Sequence, residues 1–304
     1  MFGRGHTRGV TSIVIPAHNE ARVIGRLLDA LLSDAPASGA GPGPDIVVVC
    51  NGCTDDTAAV AGARGPRVRV VQTPAPGKHG ALRLGDEHAE GFPRLYVDAD
   101  VVLRAADVRA LEAALADGQG VLAAAPARDL PLAGCTWAVR AYYRVWQLLP
   151  AVREGLFGRG VIAVTERGHA RIAALPPVMA DDLAASLAFA PAERRVVEEA
   201  RVVVSPPRTW GDLLRRRIRA ATSSAELERV QAAARGAGEG GGGAAPSART
   251  GTADLRALVR ARPGLLPSVG VFLVAAAPAR RGARRAIRAG DFSTWLRDES
   301  SRTG

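Results

Sequence analysis

Four short apolar runs, three of them followed by a stretch of helical periodicity, constrain this chain more than any other feature. "SIVIP" (12–16) leads into "EARVIGRLLDALL" (20–32), and "DIVVVC" (45–50) into "TDDTAAVAGA" (54–63). "RVRVV" (67–71) precedes "KHGALRLGDEHAEG" (78–91), and "RLYVD" (94–98) closes the series. Strand-length apolar runs alternating with helices over short loops specify an α/β fold, with a mostly parallel sheet covered on both faces. Ligands of such sheets bind at the carboxyl ends of the strands. The second helix is expected to open at Thr54, as N-cap, with acids in its first turn.

The fourth run ends in "RLYVDADVVL" (94–103), which puts Asp98 and Asp100 one residue apart. Aspartates are depleted from strands, and an unpaired carboxylate is costly to bury. At a strand end they stand at the mouth of the sheet instead. Alternate residues lean to one side there, and two close carboxylates need a cation or hydrogen-bond donors between them. A hard cation such as Mg²⁺ or Mn²⁺, completed by substrate phosphates, suits the pair. Two solvated turn aspartates are the alternative for this motif in isolation.

Further along, "GVLAAAPA" (120–127) reads as a strand, "TWAVRAYYRVWQLL" (136–149) as a helix, and "GLFGRGVIAVTERG" (155–168) as a glycine loop and a strand. "VMADDLAASLAFA" (178–190) opens a helix with two acids, and "RTWGDLLRRRIRAATSSAELERV" (208–230) is a long basic helix. Three parts result: a catalytic-type domain over 1–234, a glycine-rich linker over 235–250 and a helical tail over 251–304.

A formal charge of +10 over 304 residues suggests an anionic partner. Zinc-finger, basic-zipper and aromatic RNA-binding signatures are missing, so phosphate or a membrane surface is preferred to nucleic acid. Lys78 is the only lysine, so nearly all of this charge is arginine. Cys50 and Cys53 form a C-x-x-C, read either as small residues in a turn or as a redox pair or half a zinc site. The sequence before Thr11 lacks the apolar core of a secretory signal, which suggests a cytoplasmic protein.

In their order and spacing, "SIVIPAHNEARVIGRLLDAL", "VVVCNGCTDDT", "GKHGALRLG", "LYVDADVVL" and "ADDL" resemble family 2 glycosyltransferases with the GT-A fold, from about Thr11 to about Ser224. The resemblance implies a Rossmann-like sheet and an inverting, metal-dependent transfer of one sugar from an NDP-sugar to an acceptor hydroxyl. Pro16, Ala17, Asn19 and Glu20 match the first nucleotide-binding loop. Asn51 stands where the family commonly has an aspartate near the base, and Lys78 lies in the stretch lining the nucleotide pocket. Asp98 is implied as a ribose or metal contact and Asp100 as a metal ligand. Asp181 and Asp182 match the acidic pair whose second member is the general base. Arg219 is the candidate for a diphosphate contact.

The chain departs from membrane-bound polysaccharide synthases of the family, which carry Gln-x-x-Arg-Trp after the base. Here Arg216 replaces the glutamine and Ala220 the tryptophan, which removes an aromatic platform and favours single-sugar transfer over processive synthesis. Trp137, Tyr142, Tyr143 and Trp146 have helical spacing and are expected in the core or an interface. "GLLPSVGVFLVAAAPA" (264–279) followed by "RRGARRAIR" (280–288) reads either as a buried helix or as an interfacial one with arginines on lipid phosphates. The apolar run falls short of a spanning helix and contains prolines. The interfacial reading allows peripheral contact with the inner face of the membrane and a polyprenyl- or lipid-linked acceptor.

Two other classes compete. A nucleotidyltransferase also uses paired acids but needs a glycine-rich loop where this strand runs into "PAHNE". A catalytically silent sugar-nucleotide-binding or membrane scaffold is allowed by Asn51 and Ala220, against the retained Asp100 and Asp182. An aspartyl-phosphate phosphatase is excluded, because its D-x-D belongs at the first strand.

Overall fold

The computed structural model describes residues 7–33, 43–236 and 250–288. Residues 237–249 of the expected linker and the terminal "WLRDESSR" (295–302) lie outside them.

The first half is built as the alternating pattern requires. β1 (Thr7–Ala17), β2 (Asp45–Asn51), β3 (Val68–Thr73) and β4 (Gly91–Val97) are all parallel, in the order β3-β2-β1-β4. Period-two alternation then assigns each side chain to a face. Ile13 and Ile15 join the cluster under α1 (Ile24–Leu32), whose Ile24, Leu27, Leu28 and Leu31 recur at helical spacing and are buried. On the opposite face, Val47 and Val49 pack with Ala81 of α3 (Lys78–His88). Apolar side chains on both faces explain why these strands read as unbroken apolar runs.

α2 (Thr57–Gly62) starts later than Thr54. The N-cap is Asp56, not Thr54, and its side chain makes no cap; Asp55 Oδ1 accepts the Thr57 N–H at 3.0 Å, while Oδ2 accepts the Ala21 N–H at 3.1 Å. A carboxylate is a strong acceptor, and here that of Asp55 also ties α2 to the loop after β1.

Beyond β4 the sheet becomes mixed. β5 (Val101–Leu103), α4 (Ala105–Ala116), β6 (Ala123–Asp129), α5 (Trp137–Trp146), α6 (Pro150–Glu154) and β7 (Val161–Val164) follow in turn. Next come α7 (Glu166–Ala173), α8 (Asp181–Leu187), β8 (Arg194–Val204) and α9 (Trp210–Gly236). The full order is β3-β2-β1-β4-β7-β6-β8-β5, with β7 antiparallel to β4 and β6, and β5 antiparallel to β8. The sheet stays mostly parallel, because β6 and β8 also run together.

α10 (Thr252–Ala261) and α11 (Leu266–Arg288) complete the described chain. The prolines do not break α11, which carries Pro278 in its interior. The segment Pro263–Arg285 is long and apolar enough to cross a membrane, beyond what the sequence pattern suggested. One face of α11 nevertheless packs on α5 and α9, burying Val269, Phe272 and Ala275 with Val139, Tyr142 and Leu213. Tyr142 and Tyr143 lie in this second core and Trp146 at its margin, while Trp137 stands exposed.

Two glycines of α3 test the packing. A Cβ on Gly85 would lie 2.3 Å from Val14 Cγ1 and 3.3 Å from Val49 Cγ2, whereas one on Gly80 would meet nothing within 4 Å. Gly85→Ala is expected to lower the unfolding free energy by about 1–3 kcal/mol through overpacking. Gly80→Ala should raise it by about 0.5–1 kcal/mol through helix propensity. Urea unfolding of the two variants checks both signs.

Candidate active site

Three strand ends and two helix starts supply the site. At the end of β1, Ala17 is buried and Pro16 half-buried, and the chain turns through Asn19 at φ +54°. Asn19 Oδ1 accepts the Thr54 N–H at 2.7 Å, which locks this loop to the turn after β2. Glu20 is buried and its N–H donates to Thr57 Oγ1 at 2.8 Å. Asn51, at the end of β2, is buried too. Its amide donates to Ala17 O at 2.9 Å and its Oδ1 accepts the Gly77 N–H at 2.9 Å. An aspartate there would lose the donor to Ala17 O, a physical reason for the amide at this position.

Cys53 Sγ donates to Ala17 O and accepts the Asn19 N–H, both at 3.4 Å. Burial, then the neighbouring Cys53, pushes the Cys50 thiol up to about 12. Both are free thiols with contacts inside the loop scaffold.

Gly77 holds a φ of +146° and delivers Lys78 to the first turn of α3. The Lys78 ammonium lies 2.7 Å from Asp98 Oδ1 and 2.9 Å from Asp181 Oδ2. One cation thus joins the D-x-D turn to the acidic start of α8. Burial alone would lower the lysine pKa, but Asp181 and Asp98 outweigh it and raise it well above the ordinary value. Burial would raise the Asp98 carboxyl; Lys78, then Arg219 and Arg216, hold it below its ordinary value. Asp181 goes the other way, raised by burial and by the charges of Asp182 and Asp98 against the pull of Lys78. Two carboxylates on one lysine diverge because Asp98 has guanidinium neighbours and Asp181 has an acidic one.

Ala99 is buried between Asp98 and Asp100, which turns both acids outward at the mouth of the sheet. The Asp98 N–H donates to Gly160 O at 2.7 Å. Gly158 and Gly160 hold φ near +64° and +65°, and a Cβ on Gly160 would lie 2.5 Å from Val101 Cγ1. The Gly158 N–H donates to Asp182 Oδ2 at 2.8 Å. Both Arg128 and Arg159 pin this glycine loop from beneath. Arg128 donates to the carbonyls of Phe157 and Gly158, each at 3.2 Å, and stacks on Trp146. Arg159 is buried and donates to Pro126 O and Arg153 O, each at 2.9 Å. Carbonyl dipoles stand in for carboxylates here, and burial lowers the pKa of both arginines.

From α9, Arg216 and Arg219 face the acids, and Arg219 is influenced by Asp100, Asp98 and Asp182. Burial, then repulsion by Arg216, lowers the Arg219 pKa. Arg215 is instead paired with Asp212, and Arg217 sits 5.9 Å over the Tyr142 ring. A cavity of about 260 Å³ opens beside the lysine bridge, lined by Lys78, His79, Met179, Asp181 and Glu226.

The structure therefore brings Lys78, Asp98, Asp100, Asp181, Asp182 and Arg219 into one site. Pro16, Ala17, Asn19, Glu20 and Asn51 form the adjoining loop scaffold. Arg128 carries no sequence signal, being one arginine among many, so the pinning of the glycine loop is visible only in the fold. Among the described residues no three His, Cys, Asp or Glu side chains converge as a ready-made metal cage. The available donors are carboxylate oxygens, which suit a hard divalent cation held by one or two side chains and completed by substrate oxygens.

An α/β sheet of this kind takes its ligands at the carboxyl ends of its strands, where these acids and cations gather. Residues 12–164, half of the chain, match the family described as glycosyl transferase family 2, and the chain belongs to that family. It is also similar, at 34% identity over 115 residues, to the dolichyl-phosphate beta-glucosyltransferase of Drosophila melanogaster. That match spans about a third of the curated relative's length (35%) and 34% of this chain. In fold the chain is similar to the mannosyltransferase PcManGT from Pyrobaculum calidifontis, solved in complex with GDP-Man and Mn²⁺. The TM-score is 0.57 at 19% identity, over 92% of this chain and 79% of that one.

The lysine bridge makes a direct prediction. Removing one partner of a buried ion pair costs roughly 3–5 kcal/mol. Lys78 is 29% exposed and Asp181 31%, so Lys78→Met is expected to cost less, about 1–3 kcal/mol. Asp181→Asn added to Lys78→Met should recover part of it. A double-mutant cycle by urea unfolding gives the coupling, and a value under about 0.5 kcal/mol would refute a stabilising bridge.

Proposed function

We propose that this protein is an inverting, divalent-metal-dependent glycosyltransferase that moves one sugar from a nucleoside diphosphate sugar to a lipid-linked acceptor. The observation that carries the reading is the junction of Asp98-x-Asp100 with Asp181-Asp182 across Lys78. In the family's pattern the first pair serves donor binding and the second the acceptor.

Asp100, with Asp98, would hold Mg²⁺ or Mn²⁺. When bound, the cation neutralises charge that develops on the departing diphosphate. Arg219 and Lys78 add fixed positive charge beside the same acids, in a partly desolvated site where it acts strongly. Asp182 is exposed at the start of α8, with one oxygen held by the Gly158 N–H. It would take the proton of the acceptor hydroxyl as that oxygen attacks the anomeric carbon from the face opposite the leaving group. The named activity of the Drosophila relative supports an acceptor on a lipid phosphate, and the GDP-Man and Mn²⁺ of the Pyrobaculum structure support a nucleotide-sugar donor with a metal. With such an acceptor the attacking hydroxyl is the P–OH of a singly protonated lipid phosphate: Asp182 takes its proton, its oxygen bonds to the anomeric carbon, and the nucleoside diphosphate leaves. We assign the work to the cytoplasmic face of a membrane.

Calorimetry with UDP, GDP and dTDP, each with and without Mn²⁺, tests the donor half. Metal-dependent binding of one nucleotide is expected in the wild type and its loss in Asp100→Asn. Absence of binding by all three, in folded protein, would defeat the reading. For the acceptor half, Asp182→Asn is expected to keep nucleotide binding and lose transfer by roughly 10²–10⁴-fold. Transfer at the wild-type rate would remove Asp182 as the base.

A further inference from the structure

We infer that the outward face of α11 is a docking surface for an anionic bilayer, with the helix lying along the surface instead of crossing it. The inference concerns the face of α11 turned away from α5 and α9, and vesicle binding decides it whatever the nucleotide titrations give.

Exposed large apolar side chains among the described residues are Trp137, Leu266, Leu273 and Val274. Three of the four stand on α11, and Trp137 opens α5, on which α11 packs. Leu266, Leu273 and Val274 are spaced i, i+7 and i+8, with exposed Gly270 and Ala277 between and after them, so they share one helix face. At 61%, 48% and 62% exposure they cannot belong to the core, while Val269, Phe272, Ala275, Ala279 and Ala283 are buried on the other side. A helix with one face committed to the core on α5 and α9 cannot meet lipid all round, which argues for a surface arrangement with this packing.

Charge selects the occupant. The exposed stripe continues into Arg281, Arg284, Arg285 and Arg288, and residues 263–288 contain no acid. Exposed Arg256, Arg260 and Arg262 lie just before it. A parallel two-fold pairing of this face would set arginine stripe on arginine stripe, and an antiparallel one would set arginines against the partner's apolar turns. Nucleic acid would leave the leucine and valine turns in water. A bilayer with anionic headgroups satisfies both halves: the apolar turns enter the acyl boundary and the guanidiniums take lipid phosphates.

The test is co-sedimentation of the full chain with vesicles of phosphatidylcholine alone or mixed with phosphatidylglycerol. Binding to the mixed vesicles, weakened by added salt, is expected. Leu273→Glu with Val274→Glu should reduce partitioning roughly tenfold or more. Arg281→Glu with Arg284→Glu should abolish the preference for phosphatidylglycerol. These side chains are exposed, so the melting temperature should stay at the wild-type value, which separates lost docking from lost folding. The proposal is overturned if wild type ignores the mixed vesicles, or if both double variants bind like wild type. It is equally overturned if wild type is a dimer that ignores vesicles and the Leu273/Val274 variant is a monomer, which would assign the face to a second copy.

Discussion

The site depends on one electrostatic constraint: acids gathered at the mouth of a sheet must be matched by cations that the fold itself supplies. Lys78 provides one such match, spanning Asp98 and Asp181 from the start of α3. That single contact fixes the distance between a turn after β4 and the start of α8, elements far apart in sequence. Arg216 and Arg219 complete the balance from α9. Because their own charges repel, the guanidiniums are poised to accept a further anion more readily than a further cation.

Rigidity comes from backbone groups more than from side-chain packing. The Asp98 N–H and the Asp182 carboxylate are both tied to the Gly158–Gly160 loop, one to a carbonyl and the other to an N–H. Arg128 and Arg159 hold that loop through several carbonyls at once, including those closing the short α6. Removing a guanidinium from beneath it would leave buried carbonyls unsatisfied, which is costlier than losing an exposed ion pair. The loop after β1 is fixed in the same manner, with Asn19, Asn51 and Cys53 bonding its backbone to the ends of β2 and α3.

β1 and β2 were legible as unbroken apolar runs, and β3 and β4 through their place in the alternation of strands with helix patterns. β8 was not. Its sequence "RRVVEEARVVV" sets charged pairs between valines with no clean two-residue period, and pairing with β6 and β5 decides its place. β5, three residues long, is likewise defined by its partner. Within the site, the acids and Lys78 stood out by position and rarity, whereas Arg128 was hidden by the abundance of arginine. Asn51 illustrates the limit of a motif: its position was readable, but its internal bonds to Ala17 and Gly77 emerge only from the packing of β1 against β2.

α9 links the two ends of the molecule's chemistry. One side carries Arg216 and Arg219 towards the acids, while Arg217 lies over Tyr142, whose ring stacks 5.1 Å from Phe272 of α11. Further along, a Cβ on Gly282 of α11 would come within 2.8–2.9 Å of the Ile218 side chain, so the two helices meet at the closest approach a glycine permits. Contacts this tight resist sliding, since each ångström of shift would open a void or force a clash. Whatever fixes the outer face of α11 therefore also fixes the helix that holds the arginines over Asp98 and Asp100.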